Sequence, residues 1–408
     1  MRTKHKKFRI GGAIFGCNRI ANRLASVALL IIPAMGCAAT GNSCDFEQPQ
    51  QLRVLEDQMV ERGHFWGRYF DPDNDVSVRQ KFDNEFYDSA NTFFRIGLYL
   101  EEEEPWFTYA KWANDVYREF YLDPNDWHTA AWRRSSYGIY LRRELVGDVP
   151  IRQLELMRDK PAFSKIIEGR GQGGAEHRSR AIALAVESHV LAERAGADRA
   201  AERGVLQLET FVPWMGSHLY EWRSGSYNGT YREGGPRFAP FMFGLTAHAL
   251  IEFVEWEREN GRDPEAYWPK LFPIDYGSGI DPDAKKIYWN SIETALGDLA
   301  IWMYVSASHQ NGEPMWQTGR QDGFLYQDIL DPRLAPDLNL MIAHVYAWLW
   351  KETGDKRFLE IGDEVFNAGA LYGSTFSGKH FNQQFRYAFD FLQWRREGME
   401  LHCSTADE

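Results

Sequence analysis

"PDLNLMIAHVYAWLWKETGD" occupies residues 336–355, and "RFLEIGDEVFNAGALY" follows at 357–372. Both carry apolar residues at the 3.6-residue period of a helix. The first is apolar along most of its length. The second is more polar and one-sided. A helix that is apolar nearly all round lies inside a protein, and a one-sided helix lies outside. Thr353-Gly354-Asp355 ends the inner helix and leads to the outer one.

The theme repeats along the chain. Helical patterns cover 86–100, 105–122, 127–145, 150–167 (broken by Pro161), 175–196, 239–260, 283–308 and 381–396. "AEHRSRAIALAVESHVLAERAG" at 175–196 is the clearest amphipathic case. Val146-Gly147-Asp148 matches Thr353-Gly354-Asp355 as a weak internal repeat. No β-rich region of comparable length and no Ser/Pro linker interrupts the series. The expected fold class is therefore all-α. The expected architecture is an (α/α) toroid, an incomplete barrel of about six helical hairpins with room for a seventh. Residues 44–408 form a single domain in this reading, after a segment 1–43 with a different job.

That segment reads as an export signal. "MRTKHKKFRI" is basic, and "LASVALLIIPAMG" is a short apolar core followed by small residues. The apolar run is too short for a membrane span. Cleavage near Gly36 would release a periplasmic or secreted protein. Cys37 in "AMGC" would instead carry lipid and anchor the chain to a membrane, although Ala34 stands where a lipobox usually has Leu. Cys44 and Cys403 remain in the mature chain and could bond in an oxidising compartment, tying the two ends together. No cysteine pair has zinc-site spacing. No metal or other cofactor is expected.

The net charge of −12 argues against general nucleic-acid binding, which needs a basic surface. It leaves room for a local basic cleft. Aromatic residues make up 15% of the chain, with 15 Trp. Their flat faces suit sugar stacking as well as helix interfaces.

The long polar insertions all precede inner helices. They are 122–128, 168–178, 222–238, 311–336 and 374–384. In a toroid these loops gather on one rim, where inner-helix N-termini add partial positive charge. Within them, "GRQDGFLYQ" at 319–327 holds Arg320 and Tyr326. The helical-hairpin series and this stretch resemble the secreted α/α-toroid polysaccharide lyases, most of all the alginate and glucuronan lyases. The likeness covers residues 75–397 in architecture and only the short stretch in motif. It implies a uronate-containing glycan as the substrate, with an Arg and a nearby Tyr in proton transfer.

The residues themselves suit that chemistry. A lyase removes the C5 proton of a uronate and expels the oxygen on C4. It must neutralise the neighbouring carboxylate, take a proton and give one. Tyr326 can be the acid or base, and Arg320 can depress its pKa. The two are six residues apart, about 20 Å if extended. They meet only if Gly319 and Gly323 let the loop curl back. Otherwise Arg320 pairs with Asp322 or Asp328.

Two further loops compete. Glu176 and His177, with Arg178 beside them, open the helix at 175–196; there they can act on a uronate or simply cap and pack. Asn228 and Tyr231, flanked by Tyr227 and Arg232, can neutralise and protonate, or can form a turn. Trp127, His128, Trp222, Trp316, Lys379 and His380 are rim candidates for sugar binding. His189, His248 and His344 fall on apolar helix faces and read as core or supporting residues. Two other functions fit the same scaffold. One is a glycoside hydrolase with carboxylates from Asp322, Asp328 and Asp337. The other is a non-catalytic glycan-binding protein.

Overall fold

A computed structural model describes residues 48–80, 88–124, 136–149, 175–196, 239–267, 291–305, 314–326 and 333–403. The side chains of residues 77, 80, 175–182 and 185 lie outside that set. Regular structure among the described residues is nearly all helix, as the all-α reading expects. The helices are α1 (Leu52–Gly67), α2 (Val76–Gln80), α3 (Ser89–Leu100), α4 (Trp106–Tyr117) and α5 (Ser136–Leu145). They continue with α6 (Ala175–Arg194), α7 (Pro240–Glu259), α8 (Ile292–Val305), α9 (Leu340–Thr353), α10 (Lys356–Tyr372) and α11 (Gly378–Cys403). One two-stranded hairpin, β1 (Trp316–Gln317) with β2 (Gly323–Phe324), lies between α8 and α9.

The opening pair of segments folds as its pattern dictates. Every residue from Leu340 to Trp350 in α9 is buried. In α10 burial is confined to one side, at Phe358, Gly362, Val365, Phe366 and their neighbours. Gly354 takes a left-handed φ of 67° and stops α9. The Asp355 carboxylate then accepts from the Arg357 N–H at 3.0 Å and caps α10, a contribution of about 1 kcal/mol. Gly147 also takes a positive φ, 75°, after α5. The aspartates of the two repeats do different work, because Asp148 pairs backward with Arg142 at 2.8 Å.

Six helices neighbour one another in a cyclic order. α3 packs on α5, α5 on α6, α6 on α7, α7 on α9, α9 on α11, and α11 on α3. α4 covers α3, α10 covers α9, and α1 lies against α10. α1 was not among the patterns singled out above. Its buried positions Leu55, Met59, Gly63 and Trp66 nevertheless keep helical spacing.

Cross-helix bonds give the directions. Asn382 donates to Ser89 Oγ at 2.6 Å near the starts of α11 and α3, and Arg95 donates to Asp390 further along both. His344 stacks on Tyr387, and later His402 Nε2 lies 2.9 Å from the Lys351 carbonyl. His248 lies beside His344, and later Glu255 bonds Trp348. Glu187 approaches His248, and later Arg194 reaches Glu259. Thus α3, α6, α7, α9 and α11 run parallel, with their N-termini at one end. None of the described helices is long and apolar enough to cross a membrane. Cys403 is disulfide-bonded, and the other half of that bond lies outside the described residues.

A close approach of two helix backbones, α7 and α9, makes Gly244 a test of the packing. A Cβ at Gly244 in α7 would sit 2.1 Å from the Met341 carbonyl oxygen of α9. Main chain cannot swing aside as a side chain can. Gly244→Ala should therefore lose about 3 kcal/mol of stability in urea unfolding, with an unchanged denaturant slope.

Candidate functional site

The shared N-terminal end of the parallel helices holds polar residues from the described parts of two loops, 311–336 and 374–384. The segment 314–326 is a hairpin whose register pairs Trp316 with Phe324 and Gln317 with Gly323. Asp322 accepts from the Gly319 N–H at 2.9 Å and closes the turn. Arg320 stands exposed at that turn, while Tyr326 lies past the hairpin's other end. The chain folds back, but the turn carries Arg320 to its tip, and the expected Arg320–Tyr326 pair is not assembled. A different arginine takes the place. The Arg333 guanidinium lies 4.8 Å from the Tyr326 ring centroid, and Tyr326 N–H donates to the Arg333 carbonyl at 2.8 Å. The Tyr326 ring stacks on Phe241, 5.0 Å away, in the first turn of α7.

Trp316 is not a sugar platform. It is buried, donates from Nε1 to Glu364 at 2.9 Å, and stacks on Tyr304. Burial, with a hydrogen bond to the same Glu364, raises the Tyr304 phenol above its usual range. The tryptophan holds the hairpin to α8 and α10.

His380 lies at this end, as expected. Its Nε2 lies 3.5 Å from Asp337 Oδ2, and its N–H donates to Ser377 Oγ at 3.1 Å in the first turn of α11. Lys379 beside it is half-buried. Tyr326 over α7, Asp337 before α9 and His380 on α11 thus follow consecutive inner helices at the same end. Glu176, His177 and Arg178 lie in the first turn of α6, as expected, with side chains outside the described set. Trp127, His128, Trp222, Tyr227, Asn228, Tyr231, Arg232 and Asp328 lie outside the described residues, as do Cys37 and Cys44.

Beneath this end is a charged layer that sequence reading missed. Arg386 of α11 donates to both Glu187 oxygens of α6, at 2.6 and 2.5 Å, and faces Asp88 at 3.6 Å. Arg95 of α3 donates to Asp390 Oδ2 at 2.9 Å and to the Arg386 carbonyl at 2.6 Å. His248 of α7 stands between two carboxylates, with Nε2 3.2 Å from Asp390 and Nδ1 4.0 Å from Glu187. His248 and His344 are core residues, as read, but His248 faces two carboxylates, whereas His344 lies among the rings of His248, Tyr387 and Trp394. Burial alone would raise the Asp390 pKa. The Arg95 charge and the bonds from His248 and Arg95 outweigh it and hold the carboxyl well below its usual range. Burial raises Glu187 despite Arg386. Burial also holds His344 well below its usual value, so it is neutral.

A sequence signal for the layer existed. Arg386 and Asp390 are four residues apart in "FRYAFDF", where every flank is aromatic or small. A charge pair at helical spacing inside a core segment demands buried partners.

No protein-family model, curated protein or solved structure matches the chain.

The layer yields two expectations. Asp390→Asn leaves Arg95 buried without its counter-charge and should cost about 3–5 kcal/mol. The native carboxyl titrates below its ordinary value of 3.8, so its stabilisation is complete above that pH and is lost as pH falls below it. Urea midpoints measured from pH 4 downward should fall less steeply in Asp390→Asn than in the parent.

Proposed function

We propose that this chain is an exported polysaccharide lyase built as an (α/α) toroid, cleaving a uronate-containing glycan of the alginate or glucuronan class by β-elimination. The cyclic packing order α3–α5–α6–α7–α9–α11–α3 supports the toroid. The basic and apolar N-terminal segment supports export. The observation that carries the reaction is Tyr326, held on Phe241 beneath the Arg333 guanidinium at the end where the inner helices begin.

In this reading a base removes the C5 proton of the uronate. The electron pair forms a C4–C5 double bond and the C4–oxygen bond breaks. The departing oxygen receives a proton. Tyr326 is the acid or base at that centre, and His177 on the first turn of α6 is the second proton carrier. Arg333 replaces Arg320 as the cation beside the phenol. Arg333 and His380 neutralise the carboxylate as electron density moves into it. Glu176, Asn228 and Tyr231 stay candidates for the same reaction by residue type, Asn228 and Tyr231 lying outside the described residues.

The hydrolase alternative finds less support. It needs two carboxylates flanking one bond. Asp322 is used in closing the hairpin turn, and Asp337 faces His380.

The test is product absorbance. The mature protein incubated with alginate or glucuronan should release an unsaturated uronate absorbing in the near ultraviolet. Tyr326→Phe should lower that rate by about 10²–10⁴-fold, whereas Arg320→Ala should leave it within about twofold because the side chain stands apart from the phenol. Chain cleavage without new absorbance, or full activity in Tyr326→Phe, would remove the proposal.

A further inference from the structure

Phe376 is 82% exposed, the most open large apolar side chain among the described residues, and Phe65 is 42% exposed. Burying a phenylalanine contributes roughly 1.5–3 kcal/mol. Folding therefore gives no reason to leave this one in water. Between the two rings lies Arg62 of α1. Its guanidinium carbon is 4.6 Å from the Phe65 centroid and 5.4 Å from the Phe376 centroid. Arg62 Nε donates to the Thr375 carbonyl at 3.3 Å, which leaves the two terminal nitrogens of the fork. Among the described residues no carboxylate forms an ion pair with Arg62.

The platform is held in place from below. Trp66 Nε1 donates to the same Thr375 carbonyl at 3.0 Å, and the Trp66 ring lies 5.6 Å from the Arg62 carbon. Thr375 and Trp66 are both buried. The backbone that carries Phe376 is thus tied to α1 on one side. On the other it runs into Ser377, which caps the turn holding His380. Phe376 and His380 lie on one continuous stretch, four residues apart.

We propose that Arg62, Phe65 and Phe376 form a binding subsite for a uronate unit of an anionic glycan other than the unit that reacts. The pyranose carbon–hydrogen face rests on an exposed phenylalanine ring. The sugar carboxylate takes the terminal Arg62 nitrogens in a forked pair, the geometry guanidinium favours. Stacking orients the guanidinium plane and limits the rotamer entropy lost on binding. A preset cation with no carboxylate partner among the described residues, on a chain of net charge −12, selects for an anion that also offers a flat apolar face. The subsite shares its ligand class with the lyase reading and rests on that reading for the polymer's identity.

The experiment separates the two. The full chain is run through native gels containing alginate, glucuronan or a neutral glucan, and retardation is converted to affinity. Phe376→Ala and Arg62→Met should each weaken retardation by the polyuronates about tenfold. Phe376→Trp should restore it, which a folding defect would not. The release of unsaturated product from short oligomers at saturation should be unchanged in all three variants. Parental retardation of Phe376→Ala and Arg62→Met would overturn the subsite, as would equal retardation by the neutral glucan. Selective, variant-sensitive retardation without any unsaturated product would support the subsite and overturn only the lyase.

Discussion

Two guanidiniums, that of Arg386 buried and that of Arg95 mostly withdrawn from water, sit among helices arranged to answer their charge. Removing an ion from water costs several kcal/mol even after relaxation. Arg386 meets that cost with Glu187 from α6 and Asp88 ahead of α3. Arg95 meets it with Asp390 on α11, which His248 of α7 also bonds. Four helices are joined by five charged residues and one histidine. Apolar packing is non-directional and tolerates sliding of one helix past another. A one-turn slip here would strand an ion, so the charges select the register that apolar contacts leave open. That register also places the helix N-termini together, at the end where Tyr326, Asp337 and His380 lie.

The same layer explains what the sequence could and could not tell. Helices such as α9 and α10 were legible because period and burial agree: the all-round apolar run is inside, and the one-sided run is outside. Gly354 was legible because a helix needs a left-handed stop. α1 escaped notice because its buried set of Leu55, Met59, Gly63 and Trp66 includes a glycine and is diluted by charged neighbours. Its stretch at 52–67 therefore looks like surface. The charged layer was hidden for a deeper reason. Glu187, His248 and Arg386 belong to three separate segments, and only the tertiary packing shows that each charge has a partner. A lone charge on an apolar face is ambiguous until that partner is seen.

The candidate site was legible at the level of loops and not of pairs. His380 was found because it sits at the foot of an insertion before an inner helix. Trp316 was misjudged because the sequence does not reveal Glu364, whose carboxylate satisfies the indole and draws it inward. Phe376, exposed within the 374–384 insertion, is not a candidate by residue type, since phenylalanine is expected inside. Its partner Arg62 lies on α1, the helix that the pattern reading did not isolate.

Arg320 and Arg333 show how backbone pairing decides a site. Sequence distance favours Arg320, six residues before Tyr326. The hairpin sends it away, because Gln317 opposite Gly323 forces the chain between them into a turn. Beyond the hairpin the main chain pairs again. Leu325 bridges Leu334, Ala335 N–H donates to the Phe324 carbonyl, and Tyr326 N–H donates to the Arg333 carbonyl. Asn339 at the start of α9 accepts from Phe324 N–H at 3.2 Å, tying the arrangement to a helix. Arg333 is thus set beside Tyr326 by peptide groups, which are indifferent to the side chain at 333. The phenol and the cation are neighbours because of the fold and independently of their own attraction. Charge at that position can be changed without moving the backbone that places it, so the chemistry of the opening and the stability of the scaffold are separable properties of this protein.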